Sequence, residues 1–423
     1  MAETTDRKTK RILGIVLLVI LLVLSFMVYQ TNTKLGVFMI IGLGLGFIES
    51  HSEVGIASGY VDFFVTGSRT RLYGFLLLFA LGSLGALIIH ALAASNGAVP
   101  AYLDTTVQNS IPGTDAVTPV NFGLILGAFL FGVGLTLNRG CGMGTLRNTG
   151  LGQMRFILTL FFIMMGAIPG QWLKYRLDQS AIHDVNIQVY FPEVMGYKGT
   201  LYLGLALFTF LALWGLYVER KRKKNNLFQE IEKNPSGEMK AKQNLHPALF
   251  YLFKKKWPRI VSVILITILL LVALVFTGEK LAVTYSFIYP AVALFQRFGF
   301  TFSDPAFNEA LDVVNNGLLN NHVIIQNIGI VLGALIFGLL SMEFKFSWEG
   351  SLKEFSLYIL SGLLMGFGAI LASGCIVGAL YSGIVNFSLS GWAVFLSMSV
   401  GIWLTVKVMN GDISTIPEIT IQK

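Results

Sequence analysis

Two cysteines, Cys141 and Cys375, are the only thiols in this chain of 423 residues, and each lies among closely spaced glycines. Around both cysteines, glycines stand nine and seven residues before, one before and three after, with a constant offset of 234 residues (375 − 141). Matching spacing at several positions indicates an internal repeat. Backbone N–H groups that glycines leave accessible at a helix end can bind an anion. The repeat therefore predicts a thiol beside an anion-binding backbone in each half of the chain.

Packing is the alternative interpretation of each cysteine site. Small residues allow close contact between membrane helices, and a buried thiol there acts as a small apolar group. The common register of the two sites favours a functional role instead, because it places the same backbone and the same thiol at one depth in both halves. On this basis we predict that Gly140, Gly142 and Gly374 line a path for a small ion with their backbones.

Arg139 and Arg147 flank the first cysteine. A charged side chain at membrane depth is costly unless it faces a cavity or a partner, so both arginines are candidates for the path. Snorkelling of their side chains to the membrane interface is the alternative. The five histidines are scattered, and the two cysteines are too far apart in sequence for a metal-binding motif. The sequence therefore predicts free thiols and no metal centre.

Apolar runs dominate the elements that must hold these residues. Hydrophobic residues make up 54% of the chain and charged residues 13%, and the apolar runs reach about 18 residues, the length that crosses a bilayer core. The sequence predicts an all-α polytopic membrane protein with about ten crossings. The net charge of +8 does not indicate nucleic-acid binding, because the basic residues lie beside apolar runs, as the positive-inside rule expects. The expected crossings are residues 12–28, 35–48, 72–92, 122–137, 156–173, 201–218, 260–276, 328–340, 357–371 and 392–406.

Basic clusters orient the predicted crossings. The densest cluster, within residues 219–224, precedes a polar and basic segment, 225–258, that we interpret as a cytoplasmic linker. This linker separates a first transmembrane half, 1–224, with the Cys141 motif from a second half, 259–423, with the Cys375 motif. The run 12–28 follows basic residues but has no signal-peptide cleavage site, so we expect it to be a retained crossing. Both termini are predicted to be cytoplasmic.

The two halves are predicted to have opposite orientations. The crossing before Cys141 runs inward, whereas its counterpart before Cys375 runs outward. This is the inverted-repeat arrangement of many transporters, in which the substrate path lies near the membrane midplane. Residues 49–67 mix polar and apolar positions and form either a re-entrant segment or an interfacial loop. Residues 277–321 are expected to lie outside, with a short helix at the interface near 287–298.

Several motifs resemble those of the YeeE/YedE family of bacterial membrane proteins, and the resemblance covers most of the chain. It implies an hourglass-like fold with re-entrant glycine-rich segments, in the cytoplasmic (inner) membrane. It also implies uptake of thiosulfate past cysteines at the waist through transient S–H···S contacts, with Cys141 and Cys375 matching two of those cysteines and Ser373 beside the second. We therefore expect a transporter without a cofactor rather than an enzyme. The most specific matching stretches are Gly366-Phe367-Gly368, Ser373-Gly374-Cys375, Tyr381-Ser382-Gly383-Ile384 and Ser388-Leu389-Ser390-Gly391-Trp392.

The first cysteine motif of that family is not retained here. The stretch 50–62 keeps Ser58 and Asp62, but Gly55 stands at the cysteine position and Glu53 at a position where the family has a basic residue. A dianion that passes Glu53 is attracted less strongly than one that passes a basic residue at this position. Another reduced sulfur species, or a selenium species, is therefore an alternative substrate to thiosulfate.

Two other functions compete with that of a permease. One is a sulfur or selenium relay, in which a cysteine forms a persulfide and passes sulfur to a cytoplasmic TusA-like sulfurtransferase, a partner that the resemblance suggests. The other is a structural membrane subunit, which leaves the paired cysteine sites unexplained. Apart from that carrier, the expected partners are a small sulfur-containing anion and the lipid bilayer, and nucleic acid is not among them.

Overall fold

The computed structural model describes residues 2–52, 56–103, 109–180, 187–225, 257–348 and 352–409. These residues are almost entirely helical. Residues 226–256 lie outside the described residues, so the predicted linker is not tested.

A two-stranded parallel pairing joins Val99–Pro100 to Ser110–Ile111. The helices are α1 (Ala2–Thr31), α2 (Thr33–His51), α3 (Ile56–Thr66), α4 (Arg69–Ser95), α5 (Phe122–Asn138), α6 (Gly142–Gly150), α7 (Arg155–Asp178), α8 (Phe191–Lys224), α9 (Arg259–Thr277), α10 (Ile288–Arg297), α11 (Asn308–Asn315), α12 (His322–Ser341), α13 (Leu352–Leu371), a π-helix (Ile376–Tyr381), α14 (Ser382–Val385) and α15 (Leu389–Val408).

Ten helical segments in the described part of the chain are long and apolar enough to cross a membrane. This confirms the prediction of an all-α polytopic membrane protein. The second crossing is longer than its apolar run, because Asn32 caps α2 by accepting a hydrogen bond from the backbone N–H of Leu35 at 3.2 Å. The ten segments are Lys10–Thr31, Thr33–His51, Leu72–Ser95, Phe122–Gly150, Arg155–Asp178, Phe191–Lys224, Arg259–Thr277, His322–Ser341, Leu352–Val385 and Leu389–Val408.

The repeat mates α5 and α13 run antiparallel in direct contact. A side-chain carbon at Gly127 would lie 2.5 Å from the backbone nitrogen of Ala372, and one at Gly134 would lie 2.9 Å from the carbonyl oxygen of Ser361. Residue numbers therefore rise along α5 as they fall along α13. Glycine lets the two backbones approach this closely. Opposite direction of the two repeat mates is the geometry that the inverted-repeat prediction requires.

Two further helices pack in parallel orientation beside α5 and α13. Helix α15 runs alongside α5, since the Ser397 hydroxyl donates to the carbonyl oxygen of Ile125 at 2.6 Å and Gly401 faces Val133 eight residues further along α5. Helix α13 runs alongside α7, with Gly362 facing Thr159. Helices of the two predicted halves are thus intermixed at the centre, which binds each half to the other.

Two irregular segments pack inside the protein. Residues 56–66 form the short helix α3 with Tyr60 and Phe63 fully covered, as a re-entrant segment requires and an interfacial loop does not. The segment 277–321 contains the expected short helix, α10. Leu281, Val283 and Thr284 within this segment are buried against other parts of the protein, while the side of the membrane on which the segment lies stays a prediction. The physical reason for the burial is that the side-chain amides of Gln326 and Asn327 donate to the carbonyl oxygens of Ala282 and Val283 at 2.8 and 3.0 Å.

Helices α1 and α8 lie at the periphery and expose large apolar side chains. On α1, Phe26 is 60% exposed, and on α8, Tyr202 is 70% exposed. Such surfaces face lipid in a membrane protein, where apolar exposure has no cost. The central helices around both cysteines therefore form the part of the fold that positions a site.

Candidate functional site

Cys141 lies in a fixed break between α5 and α6. Helix α5 ends where Arg139 adopts a left-handed conformation with φ of 54°, and Cys141 then occupies the N-terminal cap of α6. The side-chain amide of Asn138 donates to the carbonyl oxygen of Gly140 and to the hydroxyl of Thr145, both at 2.8 Å. The Thr145 hydroxyl donates in turn to the carbonyl oxygen of Cys141 at 2.9 Å. This buried polar network holds the backbone that carries the thiol at the start of α6.

Cys375 occupies the corresponding break after α13. Ser373 is left-handed with φ of 56°, and Gly374 has φ of 153°, a region that side chains rarely adopt. The carbonyl oxygen of Cys375 accepts from the backbone N–H groups of Ala379 and Leu380 at 2.8 and 3.2 Å, which starts the π-helix. Two helix breaks of the same kind therefore present the two thiols, as the repeat predicted.

Both thiols are fully buried, and the two cysteines are not joined by a disulfide bond. Both belong to one continuous cluster of buried residues, and the loops that carry them contact the same segment, 281–284. The tertiary structure therefore brings together two cysteines that are 234 residues apart in sequence (375 − 141). Within the described residues no cluster of three His, Cys, Asp or Glu side chains could hold a metal ion. The site is a thiol pair in a polar backbone environment.

The buried segment 281–284 passes between the two cysteine loops. The hydroxyl of Thr284 lies against Gly142, and the backbone of residues 281–282 lies against Gly378. Thr284 is 1% exposed, and its hydroxyl has no hydrogen-bond partner among the residues that the structure describes. This segment adds an unsatisfied hydroxyl beside Cys141, which the sequence did not indicate.

The glycines near the thiols divide into two groups. A side-chain carbon at Gly144, a buried position on α6, would meet no atom within 4 Å, and one at Gly140 would meet its first atom at 3.7 Å. Gly144 therefore borders open space inside the protein, whereas a side chain at Gly140 would make ordinary van der Waals contact. At Gly374, by contrast, a side-chain carbon would lie 2.6 Å from the backbone nitrogen of Ala379. Gly374 is thus required for packing and Gly142 faces Thr284, while Gly144 faces a void.

The two candidate arginines flank the first cysteine loop in the structure. Arg139 is half-buried at the end of α5. The guanidinium group of Arg147 donates to the side-chain oxygen of Asn148 at 2.7 and 3.1 Å, and one more nitrogen lies 3.5 Å from the carbonyl oxygen of Glu49 at the end of α2. The structure therefore anchors Arg147 to protein groups beside the first cysteine loop.

Lys174 is a basic residue near the second thiol that the sequence analysis missed. Its ammonium group donates to the Ser373 hydroxyl at 3.0 Å and lies 5.3 Å from the ring centre of Tyr285. The predicted crossing 156–173 ends one residue before it, whereas α7 continues to Asp178. A lysine inside the last turns of a membrane helix was the available signal, because charges there are rare without a function.

The stretch with the altered first motif is only partly visible. Glu53 and Gly55 lie outside the described residues, and the structure does not describe the side chain of Ser58. His51, which precedes them, is buried and stacks on Trp257 with ring centres 4.5 Å apart. Asp62 is also buried, on α3. The absence of a third cysteine thus stays a sequence observation.

A cluster of polar side chains lies at the end of the protein where α2 and α12 begin. Glu279 accepts hydrogen bonds from Lys34 at 2.6 Å and from His322 at 3.0 Å. Burial opposes ionisation of Glu279, but these two bonds outweigh burial and lower its pKa to about 2. Nearby, burial raises the pKa of Asp115 although Lys280 opposes this effect. The contacts of Glu279 and Lys280 hold in place the start of the segment that leads to Thr284.

Ten membrane-length helices, with α5 and α13 packed antiparallel at the centre, define a polytopic all-α membrane protein. The sequence profile described as sulphur transport matches residues 51–404. The chain therefore belongs to this sulphur-transport family, which confirms the resemblance seen in the motifs.

Three related proteins carry transporter names. The thiosulfate transporter TsuA of Escherichia coli (strain K12) is 24% identical over 375 residues, which cover 86% of this chain and 92% of that protein. The thiosulfate transporter TsuA of Spirochaeta thermophila is 26% identical over 303 residues, covering 69% of this chain and 79% of that protein. The probable transporter YedE of Escherichia coli (strain K12) is 37% identical over 59 residues, 14% of this chain and 15% of that protein.

Proposed function

We propose that this protein is a permease that takes up thiosulfate through the membrane, past Cys141 and Cys375 at the waist of the fold. The observation that carries the proposal is that two buried thiols, presented by oppositely directed helices, lie in one buried cluster beside the open space at Gly144. The relatives named as thiosulfate transporters support the choice of ion. A channel or carrier fits this geometry better than an enzyme does.

The chemistry of the thiols suits a sulfur-containing anion. A thiol is soft and polarizable and donates only a weak hydrogen bond, so it can contact the terminal sulfur of thiosulfate without trapping the ion. Backbone N–H groups of Met143 and Gly144 lie beside the Cys141 thiol at the start of α6 and add positive potential. In this proposal Arg139 and Arg147 attract the ion at the Cys141 end of the path.

Burial of both thiols favours ion passage over a sulfur relay. A relay requires a persulfide on one cysteine to reach a cytoplasmic carrier protein, and both cysteines are fully covered by other residues. A small ion reaches such a site through a narrow path, whereas a TusA-like carrier cannot. Mass spectrometry of the purified protein after exposure to thiosulfate separates the two functions, because only the relay adds sulfur to a cysteine.

The orientation that we propose has both termini and the linker 225–258 in the cytoplasm of a bacterial cell. It places the 1–224 and 259–423 halves in opposite orientation in the cytoplasmic membrane. The basic cluster at the end of α8 supports this direction. The Glu279 cluster then lies at the outer end of the protein, and the Cys141 loop lies closer to the inner end.

Uptake of labelled thiosulfate tests the proposed function directly. The chain is expressed in a bacterial strain that lacks other thiosulfate routes, and accumulation is compared with that of an empty-vector strain. Unlabelled sulfite and selenite are added as competitors to identify the preferred ion. Accumulation that equals the empty-vector background, with the protein present in the membrane, would refute the proposal.

A further inference from the structure

Lys174 lies on the outer side of the second cysteine loop, by the orientation proposed above. Its ammonium group donates to the Ser373 hydroxyl at 3.0 Å, two residues before Cys375. The same group lies over the ring of Tyr285, which follows Thr284 in the segment between the two cysteine loops. A single flexible side chain therefore joins α7, the Cys375 loop and the segment 281–284.

The charge of Lys174 is only partly compensated by the protein. No ion pair of Lys174 is found within the described residues, and its attraction to Asp178 and Glu309 acts at longer range. Glu309 accepts a hydrogen bond from Tyr289 at 2.8 Å, which occupies one of its oxygens. Lys280 does not offset this charge, and its own ammonium group donates to the backbone carbonyl oxygen of Asp115 at 3.3 Å. An anion that binds beside Lys174 would compensate the charge of its ammonium group.

We propose that Lys174 is the cation of an outer anion site, in which its ammonium group and the Ser373 hydroxyl hold the oxygen end of a sulfur dianion before that ion reaches Cys375. This inference rests on the proposed function and adds a residue that recognises charge at the outer end of the path, in addition to the two arginines at the Cys141 end. The thiols cannot supply this recognition, because a neutral thiol offers no positive charge. The site accepts inorganic dianions with tetrahedral oxygens, so sulfate also binds there.

The position of Ser373 suits this role. Its left-handed conformation turns the hydroxyl toward α7 instead of continuing α13, and Lys174 is the group that it meets there. A strained conformation of a residue other than glycine persists where the surrounding structure requires it, often at a functional site. The Lys174–Ser373 contact thereby presents an N–H donor and an O–H donor side by side.

The test compares Lys174→Met, which removes the charge, with Lys174→Arg, which retains it. Uptake of labelled thiosulfate is measured over a range of concentrations to obtain KM and Vmax. We expect K174M to raise KM about tenfold or more, the effect of one lost hydrogen bond to a charged group, with Vmax changed by less than about twofold. K174R is expected to stay within about threefold of the unmutated KM.

Two controls separate the role of Lys174 from general effects. Lys198 is an exposed lysine near the same end of the protein, on α8, so K198M removes an equal charge outside the path and should leave KM unchanged. If K174M does not reach the membrane, K174Q replaces it, because it keeps a donor for Ser373 and removes the charge. A KM equal to that of the unmutated protein in the charge-removing variant would overturn the inference.

Binding to the purified protein keeps this inference separate from the proposed function. Thiosulfate and sulfate should each raise the unfolding temperature of the unmutated protein in detergent and fail to raise that of K174M. If the unmutated protein shows these shifts but transports no thiosulfate, the proposed function is wrong and the outer anion site stands. Absence of any shift in the unmutated protein overturns the outer anion site as well.

Discussion

Filling the void beside the first cysteine loop tests whether it is the path of the ion. Gly144 lies on α6 three residues after Cys141, and a side-chain carbon there would meet no atom within 4 Å. The change Gly144→Leu therefore adds a branched apolar side chain whose first carbon enters open space. We expect the variant to fold normally and to block passage of the ion.

The size of each effect follows from the local geometry. Glycine inside a helix is about 0.8–1.0 kcal/mol less favourable than alanine, so Gly144→Ala should slightly raise the stability of the protein. Blocking the path with leucine should slow uptake at least tenfold, which corresponds to about 1.4 kcal/mol in the barrier to passage. Gly374→Ala should instead lower the stability of the protein. Its φ of 153° and the nearby Ala379 nitrogen at 2.6 Å should cost at least about 1 kcal/mol of stability.

The assay pairs uptake with thermal unfolding of the purified protein in detergent. Gly204→Leu is the matched control, because a side-chain carbon at Gly204 also meets no atom within 4 Å but lies in an apolar groove on the peripheral helix α8. Both leucine variants add the same group to a membrane helix. Only Gly144→Leu should lose uptake, and both should unfold at a temperature no lower than that of the unmutated protein.

Two results would refute this reasoning. Normal uptake by Gly144→Leu, with normal membrane expression, would show that the void is not on the path. Equal loss of uptake in Gly204→Leu would show that the leucine acts through the lipid-facing surface or through expression.

Three further predictions concern the thiols, the outer cluster and the topology. Cys141→Ser and Cys375→Ser should each slow uptake about tenfold with little change in the affinity for thiosulfate, because a hard hydroxyl replaces a soft thiol; unchanged uptake in the double variant would make both cysteines packing residues. The pKa of Glu279 is about 2, below its ordinary value of 4.5, so its contribution to stability is present above about pH 4.5 and is lost as pH falls toward 2. Thermal unfolding between pH 7 and pH 3 should show this loss in the unmutated protein, and a smaller loss in Glu279→Gln. A reporter fused at residue 234 should indicate the cytoplasm, and an external signal would reverse the proposed orientation.

Much of the fold could be predicted because hydropathy and charge act locally along the chain. The predicted crossings all fall within membrane-length helices, and the expected short helix near 287–298 is α10. The relative directions also agree, since α5 and α13 are antiparallel while α5 and α15 are parallel. Each of these features depends on runs of neighbouring residues, which a sequence displays directly. Their absolute orientation in the membrane stays a prediction.

The site could be predicted only in part. The repeat in the glycine spacing identified Cys141 and Cys375 as equivalent positions, and the fold brings them together. The same spacing did not distinguish Gly374, which packs against the backbone of Ala379, from Gly144, which faces open space. A glycine in a sequence shows that a side chain is missing, but it does not show what lies in the space that the side chain would fill.

The sequence by itself determined the membrane class, the helices and the existence of two matched thiol sites, because composition, apolar run length and repeat spacing are properties of the chain alone. The tertiary structure decided that Lys174 meets Ser373 and that Thr284 faces Gly142 between the two cysteine loops. These contacts join residues that are 199 and 142 positions apart (373 − 174 and 284 − 142). No local pattern encodes such a contact, since it depends on how closely α7, α13 and the buried segment 281–284 pack around the breaks in the central helices.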